Sequence, residues 1–214
     1  MNVDDLLKLY ATGERNFAQA HLHEAYLSRA DLMGANLQGA DLIGANLAYS
    51  NLSRANLSQA NLSRTNLTGA TLASTDLSNT ILIGANLYRA NLMEAALNRA
   101  NLSGANLREA NLAGVSLVKA VLGETDLHGA NLFGGNLRWA TLTDADLIGA
   151  NLGQVDLRGA DLSGVSLIRA DLAGATLSAA DLSYANLLGA NLSDVDLTGA
   201  DLKGAILPDG SLSH

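Results

Sequence analysis

Leucine recurs at every fifth position from Leu22 to Leu212, 39 times in succession, and Phe17 extends the register by one step. Two residues before each leucine stands a small residue, alanine in 28 of the 39 cases, as at Ala30, Ala35 and Ala40. Immediately before the leucine, 27 of the 39 positions are Asp or Asn. Two residues after it gather 16 of the chain's 21 glycines, among them Gly34, Gly39 and Gly44. The unit is Ala-(Asp/Asn)-Leu-x-x, and no insertion or deletion interrupts it.

A period of five suits neither ordinary element. On a helix at roughly 100° per residue, successive leucines scatter around the cylinder. On a straight strand an odd period alternates them between opposite faces. They share one interior only if the chain turns a corner in every repeat, and the glycines locate that corner. A type II turn needs φ > 0 at its third position, which glycine occupies if the turn runs from leucine to the next alanine. Short extended sides joined by corners form a solenoid whose coils stack at about 4.8 Å. Leucine fills the lumen, alanine fits beside it, and the other three positions face solvent. This reasoning leaves three or four sides per coil open.

On these residues the chain resembles the pentapeptide-repeat family over residues 17 to 213. The resemblance implies an all-β solenoid: a right-handed quadrilateral β-helix with four repeats per coil, about ten coils and a rod roughly 48 Å long. The ends are similar to those of cyanobacterial HetL-like members. At the N-terminus the matching residues are Met1, Asn2, Val3, Leu6, Leu7, Tyr10, Ala11, Gly13, Arg15, Asn16 and Phe17. At the C-terminus they are Leu202 to Ile206 and Pro208 to Ser211.

The ends read as caps, because open β-helix ends are unpaired edges that invite polymerisation. Asp4 or Asp5 is expected to start a short helix that buries Leu6, Leu7 and Tyr10 and stops at Gly13. Pro208 removes a donor and Asp209-Gly210 favours a turn, blunting the last edge. The expected organisation is an N-terminal cap helix within 1–16, a repeat β-helix over 17–207 and a C-terminal turn and tail over 208–214.

Composition narrows the function. Apolar residues make up 48% of 214, which excludes disorder, and the apolar runs are too short to span a membrane. No basic, apolar leader opens the chain and cysteine is absent, so a cytoplasmic protein is expected. A net charge of -8 opposes nonspecific nucleic-acid binding while leaving acidic mimicry or a local basic patch open. No cysteine nucleophile, G-x-S-x-G, phosphate loop or H-E-x-x-H occurs, so neither an enzyme nor a cofactor is expected.

His21 and His23 flank Leu22 with Glu24 nearby, and they read as solvated imidazoles in preference to metal ligands. His128 and His214 are isolated. Asp161, Asp181 and Asp201 fall 20 residues apart and would stack as screened, tolerated charge.

Taking 20 residues per coil, Arg99, Lys119, Arg138, Trp139 and Arg158 fall on one wall in successive coils. Tryptophan and arginine are typical of binding hot spots. The competing reading has Arg138 and Arg158 paired with nearby acids and Trp139 covering a corner. The opposite wall carries Tyr49, Tyr88, Arg89, Arg108, His128, Ile148, Ile168 and Leu188, where the aliphatic column favours cross-coil packing over an interface. The expected function is a monomeric, regulatory protein-interaction scaffold without metal, membrane or direct nucleic-acid contact. The family resemblance extends this to heterocyst differentiation. The alternative is a DNA-mimicking protein that binds the topoisomerase gyrase.

Overall fold

The computed structural model describes residues 2–213. Met1 of the N-terminal segment and the isolated His214 lie outside the described residues.

Helix α1 spans Val3–Ala11. Its start corrects the sequence reading: the N-cap is Asn2, whose side chain accepts the Asp5 N–H at 2.8 Å. Asn caps as well as Asp does, and this register leaves Asp4 and Asp5 in the first turn, where the helix dipole favours negative charge. Thr12 is the C-cap, and Gly13 follows at φ +101°. Leu6 is fully buried, with Leu7 and Tyr10 packed around it. The Tyr10 hydroxyl donates to the Met33 carbonyl at 2.8 Å, pinning α1 over the first coil.

Parallel bridges then join residue i to residue i+20, from Asn16↔Asn36 to Asn186↔Ile206, without a change of offset. Twenty residues per coil is four repeats, which decides the question of three or four sides. Each side contributes one bridged residue, at the Asp/Asn position, where the sequence suggested short extended stretches. The reason is steric economy: the turn takes up most of a five-residue repeat, and little is left to extend.

One repeat shows how the backbone is satisfied. Ala130 N donates to Leu127 O at 2.9 Å across the corner, Asn131 N to Ala110 O in the preceding coil, and Leu132 N to Asn151 O in the next. Gly134 N donates to Gly153 O, and the remaining Phe133 N–H is accepted by the Asn131 side chain at 3.2 Å. All five N–H groups have partners, as an interior of this kind requires. The Asp/Asn position therefore serves the turn, and asparagines also ladder between coils, as Asn131 to Asn111 and Asn151 to Asn131.

Phe17 and the leucines up to Leu187 form a continuous stack in the lumen, none of them more than 2% exposed. Where Ser50, Thr65, Thr75, Thr80 and Thr125 replace alanine, each hydroxyl donates to a leucine carbonyl. Among the described residues no buried side-chain polar atom lacks a partner.

Every corner residue from Gln19 to Gly204 has φ between +54° and +70°, while the residue before it does not share the positive φ. That is the sign pattern of a type II turn. Only 16 of these 38 corners are glycine, however; the rest include Arg99, Lys119 and Trp139. A side chain in this region costs roughly 1 kcal/mol, and the coil-to-coil hydrogen bonds hold it there.

At the far end the chain reverses. Ile206 pairs antiparallel with Leu212, Leu207 N donates to Ser211 O at 2.8 Å and Ser213 N to Ala205 O at 2.8 Å. This covers one side of the last coil; Leu192, Leu197 and Leu202 stay only partly buried.

Candidate protein-interaction wall

The 20-residue register stacks Arg99, Lys119 and Trp139 at successive corners, with Asn98, Val118, Arg138 and Arg158 one residue earlier in each coil. The structure brings the five residues singled out in the sequence onto one wall. Val118, Lys119, Arg138, Trp139 and Arg158 line a shallow recess of about 370 Å³. It continues into an open groove of about 640 Å³ that reaches Asn98 and Arg99.

Local sequence positions each of these groups. Trp139 has φ +59° and lies across the next coil, its indole against Gly159, where a Cβ would collide with the ring. The same pairing sets Tyr49 over Gly69 and Tyr184 over Gly204. All three corner aromatics are thus followed 20 residues later by glycine, a signal the sequence analysis did not use. Even so, Trp139 remains 59% exposed. At Val118 the usual Asx acceptor is replaced by Ser116. Asn98 in the preceding coil takes over, accepting the Val118 N–H at 3.1 Å and the Ser116 hydroxyl at 2.7 Å.

Asp156 is the acid of this wall. Arg158 grips it with two hydrogen bonds, Nε to Oδ1 at 2.9 Å and Nη2 to Oδ2 at 2.6 Å. Arg138 Nε stands 4.0 Å away. The Arg158 hydrogen bond holds the Asp156 carboxyl below the usual carboxylate range and raises the guanidinium in turn. Pairing therefore accounts for Arg158 and touches Arg138. Arg99 and Lys119 have no ion pair among the described residues.

The opposite wall differs. Arg89 Nε donates to Glu109 at 2.7 Å, the Tyr88 hydroxyl approaches the same carboxylate at 3.4 Å, and Arg89 sits 4.9 Å over the Tyr88 ring. The Arg89 hydrogen bond lowers the Glu109 carboxyl. Arg108 meets Asp126 at 3.5 Å. Ile148 and Ile168 are half-buried between coils, and Leu188 is exposed.

Elsewhere, His23 meets Glu24 at 3.6 Å in the open. Asp161, Asp181 and Asp201 turn to accept the N–H groups of Ser163, Ser183 and Lys203. No cluster among the described residues has the ligands for a metal ion, and no helix there is long and apolar enough to cross a membrane.

The family model for pentapeptide repeats matches in eight copies that together cover residues 16–48 and 50–209. The chain belongs to the pentapeptide-repeat family. Among solved pentapeptide-repeat structures it is similar to HetL, a protein involved in heterocyst differentiation regulation from the cyanobacterium Nostoc sp. strain PCC 7120. The two are 39% identical over 100% of both chains, with a TM-score of 0.46. A pentapeptide-repeat protein of the Arabidopsis thaliana thylakoid lumen is 30% identical over 52% of this chain and 70% of its own, with a TM-score of 0.37. QnrB1, a plasmid-mediated fluoroquinolone resistance protein, is 22% identical over 75% of this chain and 88% of its own, also with a TM-score of 0.37. The superpositions are loose, so membership rests on the sequence matches. No curated protein matches the chain.

Proposed function

We propose that this pentapeptide-repeat protein is a non-enzymatic scaffold that binds another protein through the wall of Arg99, Lys119, Arg138, Trp139 and Arg158. The observation that carries the proposal is an exposed tryptophan beside an apolar recess, with two unpaired cations, in a chain of net charge -8. Tryptophan and arginine beside an apolar recess are residue types enriched among the anchors of an interface. The proposed setting is regulatory. HetL is involved in regulating heterocyst differentiation, and full-length similarity to it supports a role in cell differentiation for this chain. The reading takes the rod as right-handed, from the family, and as a cytoplasmic monomer, from the sequence expectation.

The test is capture of the partner from the native host by immobilised protein, with and without Arg138→Ala combined with Trp139→Ala. The pair should leave thermal melting nearly unchanged and deplete the captured partner. Equal capture by both proteins rejects the wall.

A second reading, DNA mimicry directed at a topoisomerase, has the acidic charge in its favour. Against it stand a lumen of leucine throughout and a repeat without projecting loops. Potent inhibition in a gyrase supercoiling assay would favour this second reading over the first.

A further inference from the structure

Building on the proposed wall, we infer that its recess is a receptor for a short acidic segment of the partner, one carrying an apolar side chain between carboxylates. The chemistry of the recess sets both requirements. Its lining is apolar and comes from Val118, Trp139 and the stems of Lys119, Arg138 and Arg158. A polar group entering there would lose water without gaining a partner, so the inserting side chain is apolar. Around the rim the ammonium of Lys119 and the guanidinium of Arg99 have no ion pair among the described residues, and Arg138 stands 4.0 Å from Asp156. The groups flanking the inserted side chain are therefore anionic, and carboxylates on a peptide supply that charge.

The footprint limits the length of the segment. Arg99 to Arg158 spans about three coil steps, or roughly 15 Å, the reach of four or five extended residues. Carboxylates bound the stretch on the same side of the rod: the bridged column runs Asp76, Ala96, Ser116, Asn136, Asp156, Thr176, Asp196, and beyond the Asp156 held by Arg158 it places Asp76 before the stretch and Asp196 after it. A longer polyanion would run onto those acids. This favours a short peptide over single-stranded nucleic acid, which is held by basic grooves with successive stacking aromatics; the wall offers one aromatic, Trp139.

Trp139 is the chain's single tryptophan, so its emission reports on the recess itself. The experiment pans a random-peptide display library on the intact protein and titrates the enriched peptides by Trp139 fluorescence. Enriched peptides should be acidic around an aromatic or leucine, should shift the emission saturably, and should bind at least tenfold more weakly to the double variant Arg99→Glu, Lys119→Glu. That variant alters exposed side chains and should melt with the wild type. The inference is overturned if no acidic bias emerges, if binding leaves the emission unchanged, or if charge reversal has no effect. Tighter binding of an oligothymidylate than of the best peptide at physiological salt also overturns it, in favour of nucleic acid. Should the peptides fail while the Arg138→Ala, Trp139→Ala pair still depletes the native partner, only the chemical class falls. If native capture survives that pair, the wall falls with it.

Discussion

The walls of Trp139 and Tyr88 face away from each other on the same backbone, with the same corners and the same leucine lumen behind them. Along the middle of the Tyr88 wall the charges are paired internally: Arg89 and Tyr88 converge on Glu109, and Arg108 meets Asp126, while Arg29 and Arg169 stand without an ion pair among the described residues toward the two ends. Between Arg99 and Arg158 the Trp139 wall has one bridged-column acid, Asp156, committed to Arg158, and leaves Arg99 and Lys119 without an ion pair among the described residues beside an apolar recess. Exposed ion pairs contribute little to stability, so the difference concerns recognition more than folding. In a rod whose repeat dictates its skeleton, the balance of charge within a wall is what distinguishes a face that closes on itself from one that can take a partner.

The largest effects test the shared half of that comparison. Leu107 and Leu137 lie in the lumen behind the two walls, each fully buried. Leu107→Asp and Leu137→Asp should both abolish cooperative melting, since each places an unpaired polar group in a sealed apolar stack. The gentler Leu107→Ala and Leu137→Ala should each lower stability by about 2–5 kcal/mol. Denaturant unfolding that finds the two alanine variants far apart would show that the walls do not share one core.

The next effect separates the walls. Arg99→Glu with Lys119→Glu should weaken partner capture by tenfold or more at unchanged melting temperature. Arg89→Ala should leave capture intact and lower the melting temperature slightly, because it breaks a closed network. Pull-down and circular dichroism on the same preparations read both quantities, and the reverse pattern would exchange the roles of the walls.

Much of this organisation was legible in the residues, for a physical reason: a five-residue period admits only a solenoid, and the excess of glycine marks the corner. What stayed hidden depends on interactions that no single position announces. Twenty-two corners adopt positive φ with ordinary side chains, because the coil-to-coil hydrogen bonds outweigh local preference. The helix start moved to Asn2 since several good capping residues lie together and packing chooses among them. The five wall residues fall on one wall once a 20-residue register is assumed, and the features of the rival reading are present there too: Arg158 pairs with Asp156, Arg138 stands 4.0 Å from it and Trp139 lies over Gly159. The recess could not be read, as it depends on where the Lys119 and Arg138 stems lie. The glycine beneath each corner aromatic was readable and shows that paired positions 20 apart carry more information than either alone.

Those glycines give a finer comparison. Gly149, at a corner of the opposite wall, has φ +64° with nothing near a built Cβ, whereas Gly159 has φ +63° and lies under the Trp139 ring. Gly149→Ala should cost about 1 kcal/mol from backbone strain alone. Gly159→Ala carries the same strain and must also lift the indole, so it should melt lower and redden the Trp139 emission. Equal melting with unchanged emission would mean that the ring does not rest on Gly159.

The smallest effect concerns Asp156, the acid that keeps the Trp139 wall from being wholly cationic. The hydrogen bond from Arg158 depresses its pKa in the folded state. The pair's contribution is thus present above the unfolded carboxylate value of about 3.9 and fades as pH falls through the lower folded value. Glu109 follows the same sign on the other wall, so acid melting of the wild type sums both. Asp156→Asn keeps an acceptor for the Arg158 backbone N–H, bonded at 3.2 Å, and removes the charge. It should therefore flatten part of the acid-induced fall in melting temperature. At neutral pH it also releases Arg158 toward the recess, so acidic peptides should bind a few-fold more tightly. Weaker binding on that substitution would show that Asp156 holds the recess in shape, and that the arginines of this wall are not limited by the acid they share.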